Sequence, residues 1–382
     1  MALNNTPSPQ PLILSSHTWV IIMAGGLGSR FWPVSNTDSP KQFIDVLGTG
    51  KTMLQLTFER FERLCRRDRI IIVTGEQYVR QVHEQVPSLL PYQVLSEPLR
   101  RNTAPCIAYA ASVIAQMDPT ATIIVSPSDH AVFNAERFAT DIRQAVDTVQ
   151  EHDWIITLGA QPVRPDPSYG YIQFRKPSDP SVEDNLFEVV TFTEKPPVEM
   201  ARQFIASGEF FWNAGIFVWT LKVLRQAYQS FLPSVYESFA TLGLCTPREE
   251  LERVYSTCES VSVDHGIMER ASNVHVMAAS FGWSDVETWD SLYSVSRHDE
   301  NGNAIIGGQS LNGANVFAYN TKNTIVVMPH NPAKTVVLEG LDGYIVAANE
   351  DTFMVCRRSS EEMVFRFASD VEMEQLLFAK VK

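Results

Sequence analysis

Short runs of β-branched apolar residues alternate with longer helix-patterned stretches over residues 17–160 of the chain. The runs predict strands over residues 19–24, 70–74, 93–95, 122–126 and 155–158, and the stretches between them predict helices over 53–65, 77–85, 104–117 and 136–150. Continuous apolar runs are typical of parallel strands that helices cover on both faces. The alternation therefore predicts βαβ units, and hence an α/β domain with a doubly wound, mixed, mainly parallel sheet.

The pattern changes twice further along the chain. From residue 169, predicted strands over 171–174, 187–193 and 215–219 and helices over 197–205 and 221–230 are expected to form an insertion that completes a pocket over the sheet edge. Over residues 301–366, short Val, Ile and Phe runs punctuated by Asn and Gly indicate an all-β segment of short coils or hairpins. We expect a flexible tail over residues 1–16, the α/β domain over 17–297 and a small β-rich C-terminal domain over 298–382.

Charge and cysteine content disfavour several classes of protein. The 382 residues carry 31 Lys and Arg against 44 Asp and Glu, for a formal net charge of −13. Because nucleic acid and anionic lipid bind to clustered positive charge, we expect no nucleic-acid and no membrane partner, and phosphate binding only in a local pocket. The chain lacks an apolar run of about 18 residues, and its N-terminus lacks the features of a signal peptide. Five widely spaced cysteines without a C-x-x-C pair favour free thiols and a cytoplasmic protein.

A glycine-rich turn follows the first predicted strand, in the segment WVIIMAGGLGSRFWPVSNTDSPKQF over residues 19–43. Glycine lets a ligand approach the backbone closely, and a turn at the carboxyl end of a parallel strand lies where α/β sheets bind ligands. Backbone N–H groups there can converge on a phosphate, while arginine adds a bidentate fork and lysine a compact charge. The candidate phosphate-binding residues are Ala24, Gly25, Gly26, Gly28, Arg30 and Lys41.

Two common phosphate-binding patterns fit this region poorly. The dinucleotide fingerprint G-x-G-x-x-G matches at Gly26 and Gly28, but Phe31 stands at the third glycine, which disfavours an NAD-binding oxidoreductase. The segment DVLGTGKT over residues 45–52 ends like a P-loop, but Asp45 replaces the first glycine, so we expect a turn and a helix start there. A Gly/Pro-rich surface turn with incidental basic residues is the plain structural alternative.

The full pattern over residues 25–41, G-G-x-G-x-R-x-x-P-x6-P-K, resembles the signature loop of nucleotide-sugar pyrophosphorylases. Its P-K-Q-F ending over residues 40–43 is similar to that of the mannose-1-phosphate guanylyltransferase branch of this family. The resemblance continues, in the family's order of segments, to about residue 297. It implies a Rossmann-like nucleotidyltransferase fold, followed by the short β-rich tail of the same enzymes.

The segment EPLRRNTAP over residues 97–105 resembles the R-N-T-A-P segment that lines the family's nucleotide pocket. The resemblance implies nucleotide-binding roles for Arg101, Asn102 and Thr103. Without it, Asn102 or Thr103 is a good helix cap and Pro105 suits a first helical turn, so capping is the alternative.

Two aspartates from distant parts of the chain are candidate metal ligands. Asp129, in SPSDH over residues 126–130, follows the fourth predicted strand, and Mg²⁺ takes one or two carboxylates together with phosphate oxygens. Asp285, in FGWSDVETW over residues 281–289, resembles the second metal-binding carboxylate of the family's G-W-x-D-x-G-x-W region, although Glu287 stands where many relatives have glycine. Turn or helix-start roles are the alternatives for both aspartates, and His130 is expected to pack nearby.

Three further segments resemble the family's sugar-phosphate site. YGY over residues 169–171 implies that Gly170 lies near the sugar. FTEKP over 192–196 implies that Glu194 binds sugar hydroxyls and that Lys195 meets the sugar phosphate. WNAGIF over 212–217 implies a hydrogen bond from Asn213 to the sugar, with room left by Gly215. A solvated ion pair is the alternative for Glu194 and Lys195.

Together these segments imply that GTP and α-D-mannose 1-phosphate react to GDP-mannose and pyrophosphate. Arg30, Lys41 and Lys195 are the expected catalytic residues, which neutralise phosphate charge together with Mg²⁺ held by Asp129 and Asp285. The sugar-phosphate oxygen is already ionised at neutral pH and attacks the α-phosphorus in line, so no general base is needed. The resemblance also suggests a homodimer or a larger homo-oligomer.

Other functions stay open at this point. The same chemistry on another sugar 1-phosphate, such as a heptose 1-phosphate, or with UTP or dTTP needs only a different pocket. A catalytically silent sensor of nucleotide sugars is the alternative from another class, although such a protein usually lacks a metal carboxylate or the loop lysine. Many relatives carry a further isomerase domain of the cupin type; because this sequence ends at Lys382, we expect transferase activity alone.

Overall fold

The computed structural model of the chain describes residues 14–26, 29–176, 185–307, 315–328 and 335–379. These residues separate into two units: unit 1 draws on Met1–Gly25, Thr57–Ser128 and Val132–Trp283, and unit 2 on Gly26–Leu56, Asp129–Ala131 and Ser284–Lys382. Gly28 and residues 1–13 of the predicted tail lie outside the described residues. Leu14 is buried and donates its N–H to the carbonyl of Leu64 at 2.5 Å, so this end of the predicted tail is anchored in unit 1.

The strands and helices of the described residues follow in chain order. The strands are β1 Thr18–Ala24, β2 Ile70–Gly75, β3 Val94–Glu97, β4 Thr122–Pro127, β5 Ala131–Val132, β6 Ile155–Ala160, β7 Tyr171–Phe174, β8 Leu186–Thr193, β9 Phe210–Thr220, β10 Val274–Ala278, β11 Trp283–Ser284, β12 Ala304–Ile306, β13 Asn315–Tyr319, β14 Ile325–Val327, β15 Thr335–Glu339, β16 Tyr344–Ala348 and β17 Phe353–Arg357. The α-helices are α1 Met53–Glu62, α2 Val79–Gln85, α3 Thr103–Met117, α4 Ala135–Glu151, α5 Val198–Ser207, α6 Leu221–Phe231, α7 Pro233–Phe239, α8 Arg248–Thr257, α9 Trp289–Val295 and α10 Val364–Ala379.

The main sheet of unit 1 has the strand order β3-β2-β1-β4-β9-β6-β10-β8-β7. Strands β3, β2, β1 and β4 pair in parallel, and so do β6 and β10. Strands β9 and β8 pair antiparallel with their neighbours, so these two oppose the direction of the other strands in the sheet. The sheet is therefore mixed and mainly parallel in strand direction, in agreement with the prediction.

Helices cover both faces of the central strands. On β1, Trp19 and Ile21 belong to a core that includes residues of α3, α6, α7 and α8, while the alternate residues Val20 and Ile22 are also fully buried. The helix α4 lies against β4, β6 and β9, and its Phe138 packs edge-on against aromatic rings of unit 1. Burial of both faces explains why these strands read as continuous apolar runs.

The prediction of an insertion over the sheet edge is wrong for β9, which is a strand inside the main sheet. This strand begins at Phe210, five residues before the predicted start at residue 215, and lies in the middle of the sheet between β4 and β6. Its pairing with β6 shifts register between Thr157 and Gly159, and Gly215 adopts a φ of +66°. Asn213 and Gly215 interrupt the apolar run in the middle of the strand, which is why the sequence predicted only its second half.

Unit 2 contains parallel β-coils. In one sheet, Ala304 of β12 pairs in parallel with Ile325 of β14, and Ile325 pairs in parallel with Ile345 of β16. In a second sheet, Asn315 of β13 pairs in parallel with Thr335 of β15. The chain thus returns to the same register after each coil, and β17 closes the first sheet with an antiparallel pairing to β16. Apolar residues of β14, β15 and β16, including Val326, Leu338 and Val346, form the core of the coils.

The all-β expectation fails at the end of the chain. Residues Arg358–Met363 form a 3-10 helix, and α10 continues it over Val364–Ala379. The helical segment VFRFASDVEMEQLLFA contains no glycine or proline and is rich in good helix formers, a signal that the prediction did not use. The β-coils and this helix are both part of unit 2.

The expectations of no membrane-spanning helix and of free cysteine thiols can be compared with the described residues. None of its helices combines the length and apolar character needed to cross a bilayer. The five cysteines all fall within the described residues and are free thiols.

Candidate functional site

The carboxyl ends of β1, β2, β3 and β4 lie at one edge of the unit 1 sheet, because these strands are parallel neighbours. The carbonyl of Ala24, at the end of β1, accepts a hydrogen bond from the Thr74 hydroxyl at 2.8 Å. Gly25 follows directly, and a Cβ atom at this position would lie 3.5 Å from Oε2 of Glu97. The glycine turn therefore starts beside the carboxyl group that ends β3.

Glu97 is a candidate site residue that the sequence reasoning missed. It is only 7% exposed, and its Oε1 atom accepts a hydrogen bond from the Tyr255 hydroxyl at 3.1 Å. Burial raises the pKa of Glu97 to about 7, against the lowering effects of Tyr255 and Arg100. An acidic residue as the last position of a buried parallel strand was the available signal.

The three residues of the R-N-T segment make contacts within unit 1. The guanidinium of Arg101 donates to the carbonyls of Tyr255 and Ser256 at 2.7 and 2.9 Å. Asn102 caps α3 through a bond from the Thr103 N–H at 2.9 Å, and the Thr103 hydroxyl accepts from the Val263 N–H at 2.9 Å. The capping alternative is thus realised, and a nucleotide-binding role for the three residues stays a prediction.

The predicted sugar-binding residues come together in unit 1. The Asn213 N–H donates to the Gly170 carbonyl at 2.8 Å. A Cβ atom on Gly170 would lie 2.7 Å from Oε2 of Glu194 and 3.4 Å from Cβ of Asn213, so a side chain there would displace the Glu194 carboxylate. Lys195 has a φ of +47°, and its exposed Nζ lies 3.7 Å from Oε1 of Glu194. This cluster of Gly170, Glu194, Lys195 and Asn213 is called the sugar cluster below.

Asp264 joins the sugar cluster and was also missed by the sequence reasoning. It begins a π-helical turn over Asp264–Met268, and its Oδ1 accepts a hydrogen bond from Nδ2 of Asn213 at 2.7 Å. Burial and, next, the nearby Glu194 charge raise the pKa of Asp264 to about 6. Nothing in the local sequence VDHGIM marked this aspartate, because its neighbours are distant in the chain.

In unit 2, Lys41 connects the two predicted metal ligands. Its side chain is 5% exposed, and its Nζ lies 3.1 Å from Oδ2 of Asp129. The same atom donates to the backbone carbonyls of Asp285 and Val286 at 2.5 and 3.2 Å. Burial opposes ionisation of Asp129, but the charges of Lys41 and His130 outweigh it, so the pKa of Asp129 lies below its usual value. Lys41, Asp129 and Asp285 are called the lysine cluster below.

Asp285 lies in the turn before α9 rather than in the helix. Its Oδ1 accepts from the Glu287 N–H at 3.1 Å, and α9 begins at Trp289 with Thr288 as its cap. The Glu287 side chain pairs with Arg30 at 3.1 Å between Oε1 and Nη1. The unusual glutamate at this position therefore contacts the predicted catalytic arginine of the signature loop.

The donor set of the lysine cluster fits a hard divalent cation. Among the side chains that the structure describes, no three His, Cys, Asp or Glu groups gather to hold a metal by themselves. Asp129 brings its carboxylate to Lys41, whereas Asp285 meets Lys41 through its backbone carbonyl. Two carboxylates are the number that Mg²⁺ takes when substrate phosphates and water complete its shell, so a metal-binding role for the two aspartates stays a prediction. A cation that arrives with a nucleotide is therefore compatible with these residues.

The chain is similar to known proteins over most of its length. Residues 19–302 match the model of the family described as nucleotidyl transferase. A mannose-1-phosphate guanylyltransferase of Salmonella typhimurium is 31% identical over 93% of this chain and 73% of its own length. One of Escherichia coli K12 is 30% identical over 94% of this chain and 74% of its own length.

A solved structure extends the similarity to the fold. A Thermus thermophilus protein, described as a mannose-1-phosphate geranyltransferase, is 28% identical and has a TM-score of 0.81 over 93% of this chain and 99% of its own. The signature loop, the mixed sheet and this similarity lead to one conclusion: the chain belongs to the nucleotidyl transferase family, in its mannose-1-phosphate guanylyltransferase branch.

Proposed function

We propose that the chain transfers the guanylyl group of GTP to α-D-mannose 1-phosphate and releases pyrophosphate, giving GDP-mannose. The lysine cluster is the observation that carries the proposal, because it joins the signature-loop lysine to two aspartates that are remote in sequence. The names of the relatives supply the base and the sugar.

Repulsion between the two anionic substrates is the main obstacle to this reaction. Two unit charges about 4 Å apart interact by about 4 kcal/mol at an effective dielectric constant of about 20. In the proposed reaction, Lys41 and Arg30 offset charge on the triphosphate, and Lys195 offsets charge on the sugar phosphate. Local cations are needed because the whole chain carries a net charge of −13.

Asp129 and Asp285 are the residues that would hold Mg²⁺. The cation, when bound, supplies further charge neutralisation at the phosphate oxygens. Lys41 holds the Asp129 carboxylate and the Asp285 carbonyl in place before any ligand binds. The Asp129 carboxyl group, whose pKa lies below its usual value, is ionised at neutral pH, as metal binding requires.

The remaining chemistry is positioning. The phosphate oxygen of mannose 1-phosphate is ionised at neutral pH, so it can attack the α-phosphorus in line while pyrophosphate leaves from the opposite side. No residue has to remove a proton from the nucleophile. The sugar cluster orients the nucleophile, and the glycine turn brings backbone N–H groups to the nucleotide.

Glu97 favours guanine among the common bases. Guanine presents two adjacent donors, N1–H and the N2 amino group, and Glu97 can accept from both in its ionised form, which is present beside the neutral form near its pKa of about 7. The Oε2 atom of Glu97 faces Gly25, while Oε1 is anchored by Tyr255. Uracil and thymine offer a single donor on the same face.

The following experiment tests the proposed function. Purified protein is incubated with GTP and mannose 1-phosphate, with Mg²⁺ or with excess EDTA, and the nucleotide products are identified by mass spectrometry. We expect GDP-mannose and pyrophosphate in equal amounts with Mg²⁺ and neither with EDTA. Tight binding of GDP-mannose without any turnover would instead support the sensor alternative.

We further propose a homo-oligomeric, cytoplasmic enzyme with a domain boundary near residue 297. Free thiols support the reducing compartment. Exposed apolar side chains on the β-coils, namely Phe317, Tyr319, Val337, Phe353 and Val355, are consistent with self-association there. Light scattering on the intact protein measures the oligomeric state.

A further inference from the structure

Asp264 is a carboxyl group that the proposed reaction does not yet use. It approaches the sugar cluster from its own π-helical turn and is hydrogen-bonded to Asn213 at 2.7 Å. The start of that turn is held by Ser262, whose hydroxyl accepts from the His265 N–H at 3.1 Å. The contact of Asp264 with Asn213 is therefore not explained by local helix stability.

The contact with Asp264 fixes the orientation of the Asn213 side chain. Oδ1 of Asn213 accepts from the Gly215 N–H at 3.0 Å and from the Thr157 hydroxyl at 3.3 Å. With Asp264 on Nδ2, both ends of the amide have defined partners. The second hydrogen on Nδ2 is thereby given one direction in which to donate to a ligand oxygen.

Asp264 also adds to the acceptors of the sugar cluster. The negative charge of Glu194 raises the pKa of the Asp264 carboxyl, and Asp264 keeps part of its surface exposed. Glu194 and Asn213 both approach Gly170: a Cβ atom there would lie 2.7 Å from Oε2 of Glu194 and 3.4 Å from Cβ of Asn213. Two acidic groups beside the Asn213 amide match a ligand that presents several hydroxyl donors, as a hexose does.

We propose that Asp264 determines sugar specificity: it orients the Asn213 amide and accepts a hydrogen bond from a hydroxyl of the hexose 1-phosphate. This inference rests on the proposed function. It assigns Asp264 to the sugar and not to the nucleotide or the metal. Substitutions of Asp264 should therefore weaken the binding of mannose 1-phosphate and leave the binding of GTP nearly unchanged.

The test compares Asp264→Asn and Asp264→Ala with the matched control Glu269→Gln. Glu269 is a carboxylate near the same π-helical turn that pairs with His265 and has no described hydrogen bond to Asn213. Steady-state kinetics give the KM for GTP and for mannose 1-phosphate separately. Calorimetric binding of mannose 1-phosphate gives a readout that needs no turnover, and thermal melting confirms that each variant is folded.

We expect both Asp264 variants to raise the KM for mannose 1-phosphate by about tenfold or more, as loss of a hydrogen bond to a charged group implies. The KM for GTP should change less than about twofold, the preference for mannose 1-phosphate over glucose 1-phosphate should fall, and Glu269→Gln should behave as the wild type. The Asn variant retains an acceptor for the Asn213 amide. If Asp264 only orients Asn213, this variant should have the wild-type KM for mannose 1-phosphate, and that result would contradict the hydroxyl contact.

The proposal is overturned if folded Asp264 variants keep the wild-type KM and sugar preference, or if both substrates are affected equally. Failure of the proposed function looks different, because the wild type itself would then not turn over GTP with mannose 1-phosphate. In that case the same variants are compared by calorimetry with the sugar phosphate that the wild type does bind.

Discussion

Lys41 shows how much a single residue contributes to the candidate site. A lysine that is 5% exposed needs compensating partners, and Lys41 finds one carboxylate and two carbonyls in unit 2. The motif match singled out this residue as a candidate, and the structure shows that it contacts the Asp129 carboxylate and the Asp285 backbone carbonyl. Its role in turnover can be measured directly.

Substitution of Lys41 by Met should lower kcat for pyrophosphate release by about 10²–10³-fold, the range expected when one preorganised donor to developing charge is lost. The exposed Lys51 of unit 2 provides a matched control, and Lys51→Met should leave kcat within about twofold of the wild type. A coupled pyrophosphate assay measures both variants. Retention of wild-type kcat in folded Lys41→Met would remove the residue from the catalytic machinery.

Substitution of Asp285 by Asn should abolish turnover with much less effect on folding, because the amide keeps the shape of the turn but loses the charge that a divalent cation needs. Asp290→Asn is the control: this aspartate lies on α9 and pairs with Arg358 at the surface. Activity is assayed over a range of Mg²⁺ concentrations, and melting curves report folding. Wild-type-like activity in Asp285→Asn would refute the metal assignment.

The buried Glu97 makes stability depend on pH. Its pKa is about 7 in the folded protein against about 4.5 in the unfolded chain, so the neutral form is favoured by folding. The contribution of Glu97 to the free energy of unfolding is greatest below about pH 4.5. It falls by up to about 3 kcal/mol as the pH rises through about 7.

The raised pKa of Asp264 changes stability with pH in the same direction as that of Glu97. Comparison of the wild type with Glu97→Gln isolates the contribution of Glu97. We expect the variant to gain stability relative to the wild type between about pH 5 and about pH 8 in urea denaturation at each pH. A difference in unfolding free energy that does not vary with pH would show that Glu97 is not the titrating group.

Among the elements, β9 differs most from its prediction, and Gly159 of the neighbouring β6 shows why. A Cβ atom at Gly159 would lie 2.6 Å from Cγ2 of Val276 and 2.7 Å from Cβ of Phe211. The close approach of three strands occurs where the register of β6 and β9 shifts. Such packing depends on residues that are distant in the chain, so the local pattern around residue 159 did not indicate it.

Substitution of Gly159 by Ala should therefore destabilise unit 1 by about 1–3 kcal/mol through overpacking. Gly75→Ala is the control, since its nearest neighbours would lie at 3.4 and 3.5 Å, which is ordinary contact. Chemical denaturation of both variants measures the effect. Equal stability of the two variants would contradict the packing argument.

For the whole molecule, prediction succeeded where a pattern is local and failed where tertiary contact decides. The strands β1, β2, β4 and β6 followed from apolar runs because both of their faces are buried. The motif residues of the lysine and sugar clusters followed from resemblance. Glu97 and Asp264 did not, because their burial and partners arise only when distant segments fold together.

The C-terminal coils illustrate the same limit. Asn and Gly between short Val and Ile runs indicated β-structure, but the parallel return of the chain from Ala304 to Ile325 to Ile345 is a property of the assembled coil. α10 was missed although its sequence favours helix, because the β-rich pattern before it was extended too far.

The central claim is that this chain selects guanine and mannose in one phosphoryl-transfer reaction. It is tested most directly by pyrophosphate release from the intact protein across a panel of GTP, ATP, UTP and dTTP with mannose, glucose and heptose 1-phosphates. We predict that kcat/KM for GTP with mannose 1-phosphate exceeds that of every other pair by about tenfold or more. A higher kcat/KM for another pair, or no release with any pair, would contradict it.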